Sequence, residues 1–227
     1  MALDSTSAGG ESFSAPPVAA SPDSGYPINV AYDRPPQHQR FWAIPLFGIL
    51  AKSIILIPHV IVLYMLQVVV RLVQFMLWIP VLFGGHYPLW GYALVGGTIR
   101  WSTRVTAFLL GLTDEYPPFT FRSASEEGRV FSVQVRMEIP ARNSRFWAIP
   151  LLGITVKVLI LIPHLIILST LGSVIYVVAL VLWIPVLFGG HYPDWGYQVV
   201  GGTIRWSTRV LAYMDGLTDR YPPFSFD

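Results

Sequence analysis

Cysteine is absent from all 227 residues, which excludes disulfides, thiolate metal sites and cysteine nucleophiles and leaves the redox compartment unread. Charge is scarce as well, with Asp, Glu, Lys and Arg making up 12% of the chain and a formal net charge of only +2. So weak a basic field does not hold nucleic acid by counterion release, and no zinc-ligand spacing or RNA-stacking motif accompanies it, so nucleic acid is not an expected partner. Hydrophobic residues, by contrast, reach 53%, with a mean hydropathy of +0.54. These proportions do not fit a soluble globule and point to a membrane protein.

Residues 1–25 are rich in Ser, Ala, Gly and Pro and nearly lack large apolar side chains. Such a stretch buries too little surface to offset its ordering entropy, and it has neither the basic n-region nor the apolar h-region of a signal peptide. The sequence predicts a retained tail, disordered or ordered by a partner. The rest is present twice. A shift of 105 residues lays Arg40–Phe119 on Arg145–Phe224 without a gap, with about 55 identities in 80 positions. Both copies contain WIPVLFGGHYP and VGGTIRWSTRV. This is a tandem duplication of a folding unit, too long in period for a solenoid. The expected divisions are the tail (1–25), a first membrane repeat (26–122), a linker (123–130) and a second membrane repeat (131–227), related by an axis along the membrane normal.

Each copy opens on a period-two stretch, Tyr26, Ile28, Val30, Tyr32 and then Phe131, Val133, Val135, Met137, ended by Pro35 and Pro140. Each predicts a half-buried strand, and the two could pair at the membrane surface. A long apolar tract follows, Phe41–Phe83 and Phe146–Phe188. As one helix it would run about 65 Å, twice a hydrocarbon core of about 30 Å. The expectation is that it doubles back at Ser169–Ser173, giving helices near 148–168 and 174–189, and near 43–63 and 69–84 in the first copy. The shorter second arm spans or is re-entrant. After GGHYP, Trp90, Leu94, Trp101, Val105, Phe108 and Leu112 recur at helical spacing, with Arg100 and Arg104 on another face. An amphipathic helix lying in the interface is predicted, repeated with Trp206, Arg205 and Arg209. The fold class is therefore a mainly α membrane protein of two tandem repeats, each a short strand, a transmembrane hairpin and an interfacial helix, with four transmembrane helices in total. Twelve of the fifteen Lys and Arg lie outside the apolar tracts. The positive-inside rule then predicts a multi-pass protein of the inner (plasma) membrane with cytoplasmic termini.

IPH in an apolar helix, then FGGHYP, TIRWSTRV and a closing LTDEYPPF or LTDRYPPF resemble the domain-of-unknown-function family 4389, a group of bacterial integral membrane proteins. The resemblance covers both copies and implies a tandem membrane domain without an established reaction or catalytic residues. Where many members carry a basic residue before YP, this chain has His86 and His191.

Several residues carry chemistry in principle. Lys52 and Lys157 lie in apolar helices at the same repeat position, as an anion or headgroup site or as snorkelling side chains. Arg71 has Tyr176 as its counterpart and is expected at a hairpin tip. His59 and His164 follow prolines and could flank a haem or chlorophyll-type pigment, or bond a carbonyl freed by the proline kink. His86 and His191 lie just past a Gly pair suited to a sharp turn, and the glycines of VGGTIR suit close helix packing. Asp114 and Asp219 precede YPPF in a local turn without a nucleophile or base constellation, so no enzyme is expected. Arg100, Arg104, Arg205 and Arg209, with Trp101 and Trp206, are expected to meet lipid headgroups or a partner. The leading reading is a non-enzymatic accessory or structural subunit contacting lipids and other integral membrane subunits, with no resident cofactor and no metal. The alternatives are a small transporter or channel, or a haem- or pigment-binding subunit.

Overall fold

The computed structural model describes residues 25–35, 37–44, 47–123 and 131–227. The expected tail up to residue 24 and the linker from 124 to 130 lie outside the described residues. Strands β1 (Ile28–Tyr32) and β2 (Val133–Met137) form on the two period-two stretches. They pair antiparallel with Val30 opposite Val135, so one small sheet takes a strand from each copy. The Asp33 amide donates to the Ser132 carbonyl at 2.7 Å and the Glu138 amide to the Pro27 carbonyl at 2.9 Å. That phase of the ladder leaves the carbonyls of Ile28, Val30, Val133 and Val135 pointing outward from the pair.

The apolar tracts do not double back. Helix α1 (Phe47–Gly84) and its counterpart α3 (Leu152–Gly189) are each continuous over 38 residues, about 57 Å at the helical rise. The two hairpins, and with them the count of four transmembrane helices, give way to two helices long and apolar enough to cross a membrane. The reason is local. In Ser169–Ser173, the part expected to turn, the Ser169 and Thr170 hydroxyls donate to the Ile166 carbonyl and Ser173 to that of Ser169, at 2.8, 3.0 and 3.1 Å. Hydroxyls bonded within their own helix need no turn and no water. Arg71 accordingly lies inside α1 and not at a tip.

Reversal comes at the glycine pair instead. Gly85 and Gly190 have φ of 71° and 70°, open to glycine and strained for other residues. Helix α2 (Leu89–Leu109) then runs back along α1. Leu77 meets Gly91 near one end, His59 meets Trp101 midway, and Lys52 meets the Phe108 carbonyl at the other. Helix α4 (Gly202–Met214) repeats this against α3, entered through a π-turn at Tyr197–Gly201. The Tyr32 hydroxyl bonds the Gly201 carbonyl at 3.0 Å at the end of that turn. The first copy, with Met137 in the place of Tyr32, keeps a regular helix there.

Three layers result: α1 and α3 outermost, α2 and α4 between, the sheet beneath. The expectation of α2 and α4 as exposed interfacial helices is thereby corrected, because α2 is buried on both its apolar and its arginine faces. The copies also interleave. Strand β1 lies on α4 and β2 on α2, while each long helix reaches the 3-10 turn of the other copy, at Arg145–Ala148 or Arg40–Ala43. Thr103 and Thr208, a 105-residue pair, meet at 3.3 Å where α2 crosses α4.

Candidate functional site

The four arginines hold the sheet. From α4, the Nε of Arg205 donates to the Val30 carbonyl at 2.8 Å and that of Arg209 to Ile28 at 3.3 Å. From α2, Arg100 reaches Val135 at 3.4 Å and Arg104 reaches Val133 at 3.5 Å. These are four of the carbonyls that the ladder leaves open, so each copy's arginines close one edge of a two-stranded sheet. The same guanidinium groups bind the closing segments, Arg205 at Phe226 and Arg104 at Arg122, at 3.0 and 2.9 Å. Arg100, Arg104 and Arg209 are buried. Their expected role at headgroups or a partner surface is thus replaced by a structural one, which sequence spacing could not show because the acceptors are backbone atoms far away in the chain. The VGGTIR glycines serve the same junction: a methyl on Gly97 would meet Phe121, and one on Gly202 Phe226, at 2.5 Å. They admit the closing aromatic segment, not a second helix.

His59 and His164 sit in aromatic cages. Trp101 donates to Nδ1 of His59 at 2.9 Å, which places the ring proton of the neutral imidazole on Nε2, 2.8 Å from the Tyr116 hydroxyl. Phe119 stacks on the ring at 3.8 Å. Both nitrogens are engaged, so His59 is not free to ligate a haem or pigment, and its partner is an indole where a proline-freed carbonyl was the alternative. Trp206 and Phe224 hold His164 at 2.8 and 3.8 Å, but here the Tyr221 hydroxyl donates to the Ile160 carbonyl at 3.1 Å, and Nε2 of His164 is buried with no hydrogen-bond partner among the described residues. Trp101 and Trp206 are therefore buried hydrogen-bond donors and not lipid anchors. His86 and His191 bond the carbonyls of Gly84 and Gly189 at the turn. No cluster of three His, Asp or Glu suited to a metal occurs among the described residues.

Lys52 and Lys157 are buried rather than snorkelling. Each ammonium donates to a late carbonyl of the antiparallel helix, Phe108 at 3.0 Å and Tyr213 at 2.9 Å, where the helix dipole favours a cation and each carbonyl also takes the amide of Gly111 or Gly216. Around each lies a pocket built from both copies. The first, about 70 Å³, joins His38, Trp42, Lys52 and Asp114 to Trp183 and Val186. The second, about 340 Å³, joins Asn143, Trp147, Lys157 and Asp219 to Trp78 and Val81. In the first, Asp114 lies 3.2 Å from Nδ1 of His38 and 4.0 Å from Lys52. Burial pushes the Asp114 carboxyl up, but hydrogen bonds from His38 and the Gln39 amide, with the charges of His38 and Lys52, outweigh it and hold it below its ordinary value. In the second, Asn143 replaces His38, and burial leaves Asp219 above its ordinary value despite the Ser144 amide and Lys157.

The second pocket also holds a group missed by sequence reasoning. Arg71 donates to Asp215 at 2.7 Å and to Gln74 at 3.0 Å. Asp215 is buried and burial raises its carboxyl, against the hydrogen bond of Gln74 and the charge of Arg71. The counterparts of these residues are Tyr176, Ala179 and Leu110. Departure from the repeat was the available signal.

No curated protein and no solved structure matches the chain. A family model described as "Domain of unknown function (DUF4389)" matches residues 48–120 and 152–225, one match in each copy. The matched segments carry the long apolar helix, its antiparallel partner and the closing aromatic segment, and together they exceed half of the chain, which belongs to this family as a tandem duplicate.

Proposed function

We propose that the chain is a non-enzymatic integral membrane protein, an accessory or structural subunit of the plasma membrane that contacts lipids and other membrane subunits. The observation that carries this reading is the outer surface of α1 and α3. Phe75, Phe83 and Phe188 are 73–75% exposed, in an apolar face far larger than a water-soluble monomer presents. The described buried arginines are engaged in holding the sheet, and the interior lysines bind helix carbonyls. The excess of Lys and Arg outside the apolar tracts favours termini in the cytoplasm.

The absence of cysteine gives the test. Single cysteines replacing Leu72, Ser123 and Asp227 are labelled with a membrane-impermeant maleimide in sealed vesicles of both orientations. Cysteine at 72 stays unlabelled, while 123 and 227 react only from the cytoplasmic face. Rapid labelling at 72, reaction of 123 and 227 from opposite sides, or turnover or solute flux by the purified protein in liposomes overturns the reading.

A further inference from the structure

We propose that the larger of the two twin pockets is a phospholipid site that seats a headgroup carrying both a phosphate and an ammonium, with the acyl chains running out along α1 and α3. This rests on the membrane reading above. At about 340 Å³ the pocket has the size of a headgroup rather than of a whole lipid. Its rim is continuous with the apolar outer face, since Phe75, Leu151 and Ile154 line it and are 75%, 77% and 58% exposed. Inside stand two cations, Arg71 and Lys157, and two carboxylates, Asp215 and Asp219. This balance suits a zwitterion and not a net anion.

The donors fit as well. Among the described residues, Arg71 binds Asp215 and Gln74 through Nη1, and its side chain is half exposed, which leaves one edge of the guanidinium fork to a phosphate. Asp219 takes the Ser144 amide on Oδ2, which leaves Oδ1 to an ammonium. The twin pocket is the internal control. It keeps the Lys and Asp of the scaffold but is lined by Ala179 and Leu110 where this one has Gln74 and Asp215, Tyr176 stands at the repeat position of Arg71 outside its lining, and its volume is about 70 Å³. The symmetry-breaking polar groups therefore converge on one pocket from two distant segments. Leu151, which has the one positive φ of a non-glycine among the described residues (62°), lies on the same rim. Strained backbone concentrates at binding sites.

The test compares the full chain with R71Y/Q74A/D215L, which installs the twin's residues. Removing Arg71 and Asp215 together avoids a buried unpaired carboxylate. R71K, which keeps the charge and loses the fork, is the milder second variant. Each is purified from nanodiscs of equimolar phosphatidylethanolamine and phosphatidylglycerol, and bound lipid is read by native mass spectrometry alongside the unfolding temperature and membrane flotation. The full chain retains one phosphatidylethanolamine, roughly tenfold over phosphatidylglycerol; the triple variant loses it and R71K weakens it, with flotation unchanged. Equal retention by all three proteins, no preference between the lipids, or displacement by millimolar glycerophosphoethanolamine, which would mark a soluble ligand, overturns the proposal. Failure of the full chain to float overturns the membrane reading instead. Should the triple variant unfold, R71K decides alone.

Discussion

Asp114 and Asp219 occupy the same place in two copies of one unit, each beside a buried lysine, and their surroundings drive them in opposite directions. His38, the Gln39 amide and Lys52 outweigh burial and hold the Asp114 carboxyl below its ordinary value, whereas burial lifts that of Asp219, with Asn143 in the place of His38, above it. A few substitutions have thus separated two pockets while leaving the scaffold untouched. Duplication copies a fold completely and a site only provisionally: the scaffold is held by every residue in a layer, while a pocket changes with three or four side chains.

The scaffold should respond alike in both copies, and the largest effect is expected there. Arg104→Met and Arg209→Met each leave a sheet-edge carbonyl without its charged donor, costing on the order of 3 kcal/mol read by thermal unfolding in detergent. A large effect in one copy alone would break the symmetry of the clamp. Gly97→Ala and Gly202→Ala come next, at about 2 kcal/mol each, because the added methyl must displace the closing phenylalanine.

The pockets should respond differently. Asp114 is depressed in the folded state, so its stabilisation is present above the ordinary value of 3.8 and is lost as pH falls through its lower folded value. Asp219 is raised, so its contribution is present below 3.8 and is lost as pH rises through its higher folded value. Asp114→Asn should therefore lower the unfolding temperature at neutral pH and flatten the acid limb. Asp219→Asn should remove the loss on the rising side of pH 3.8 and cost less at neutrality. Parallel profiles for the two variants would remove the contrast. The smallest effect belongs to an unrepeated surface pair: Arg34 lies 2.6 Å from Asp194 with both side chains mostly exposed, so Arg34→Ala should cost about 0.5 kcal/mol or less and nothing measurable in high salt.

Much of this is legible in the order of the amino acids. The strands followed from period-two alternation, and the turns at Gly85 and Gly190 from the glycine pairs, because both signals reside in neighbouring residues. The hairpin expectation failed at Ser169–Ser173, where composition read as a turn but the hydroxyls bond back within the helix. The arginines were read from helical spacing as a wet face, and tertiary structure put strands on that face. The lysine position was recognised as repeated, but its acceptor lies at the far end of another helix.

By itself the sequence determined that the chain is a duplicated, cysteine-free, apolar unit with a strand opening each copy and a turn at each glycine pair, since repeat, composition and periodicity need no knowledge of what lies across the fold. Only the tertiary structure decided that the copies interleave, that the arginines close the edges of a shared sheet, and that Arg71 and Asp215, 144 positions apart, stand in one pocket. Those pairings join backbone carbonyls and single side chains across long loops of chain, and a contact between distant residues leaves no periodic trace in the order of amino acids.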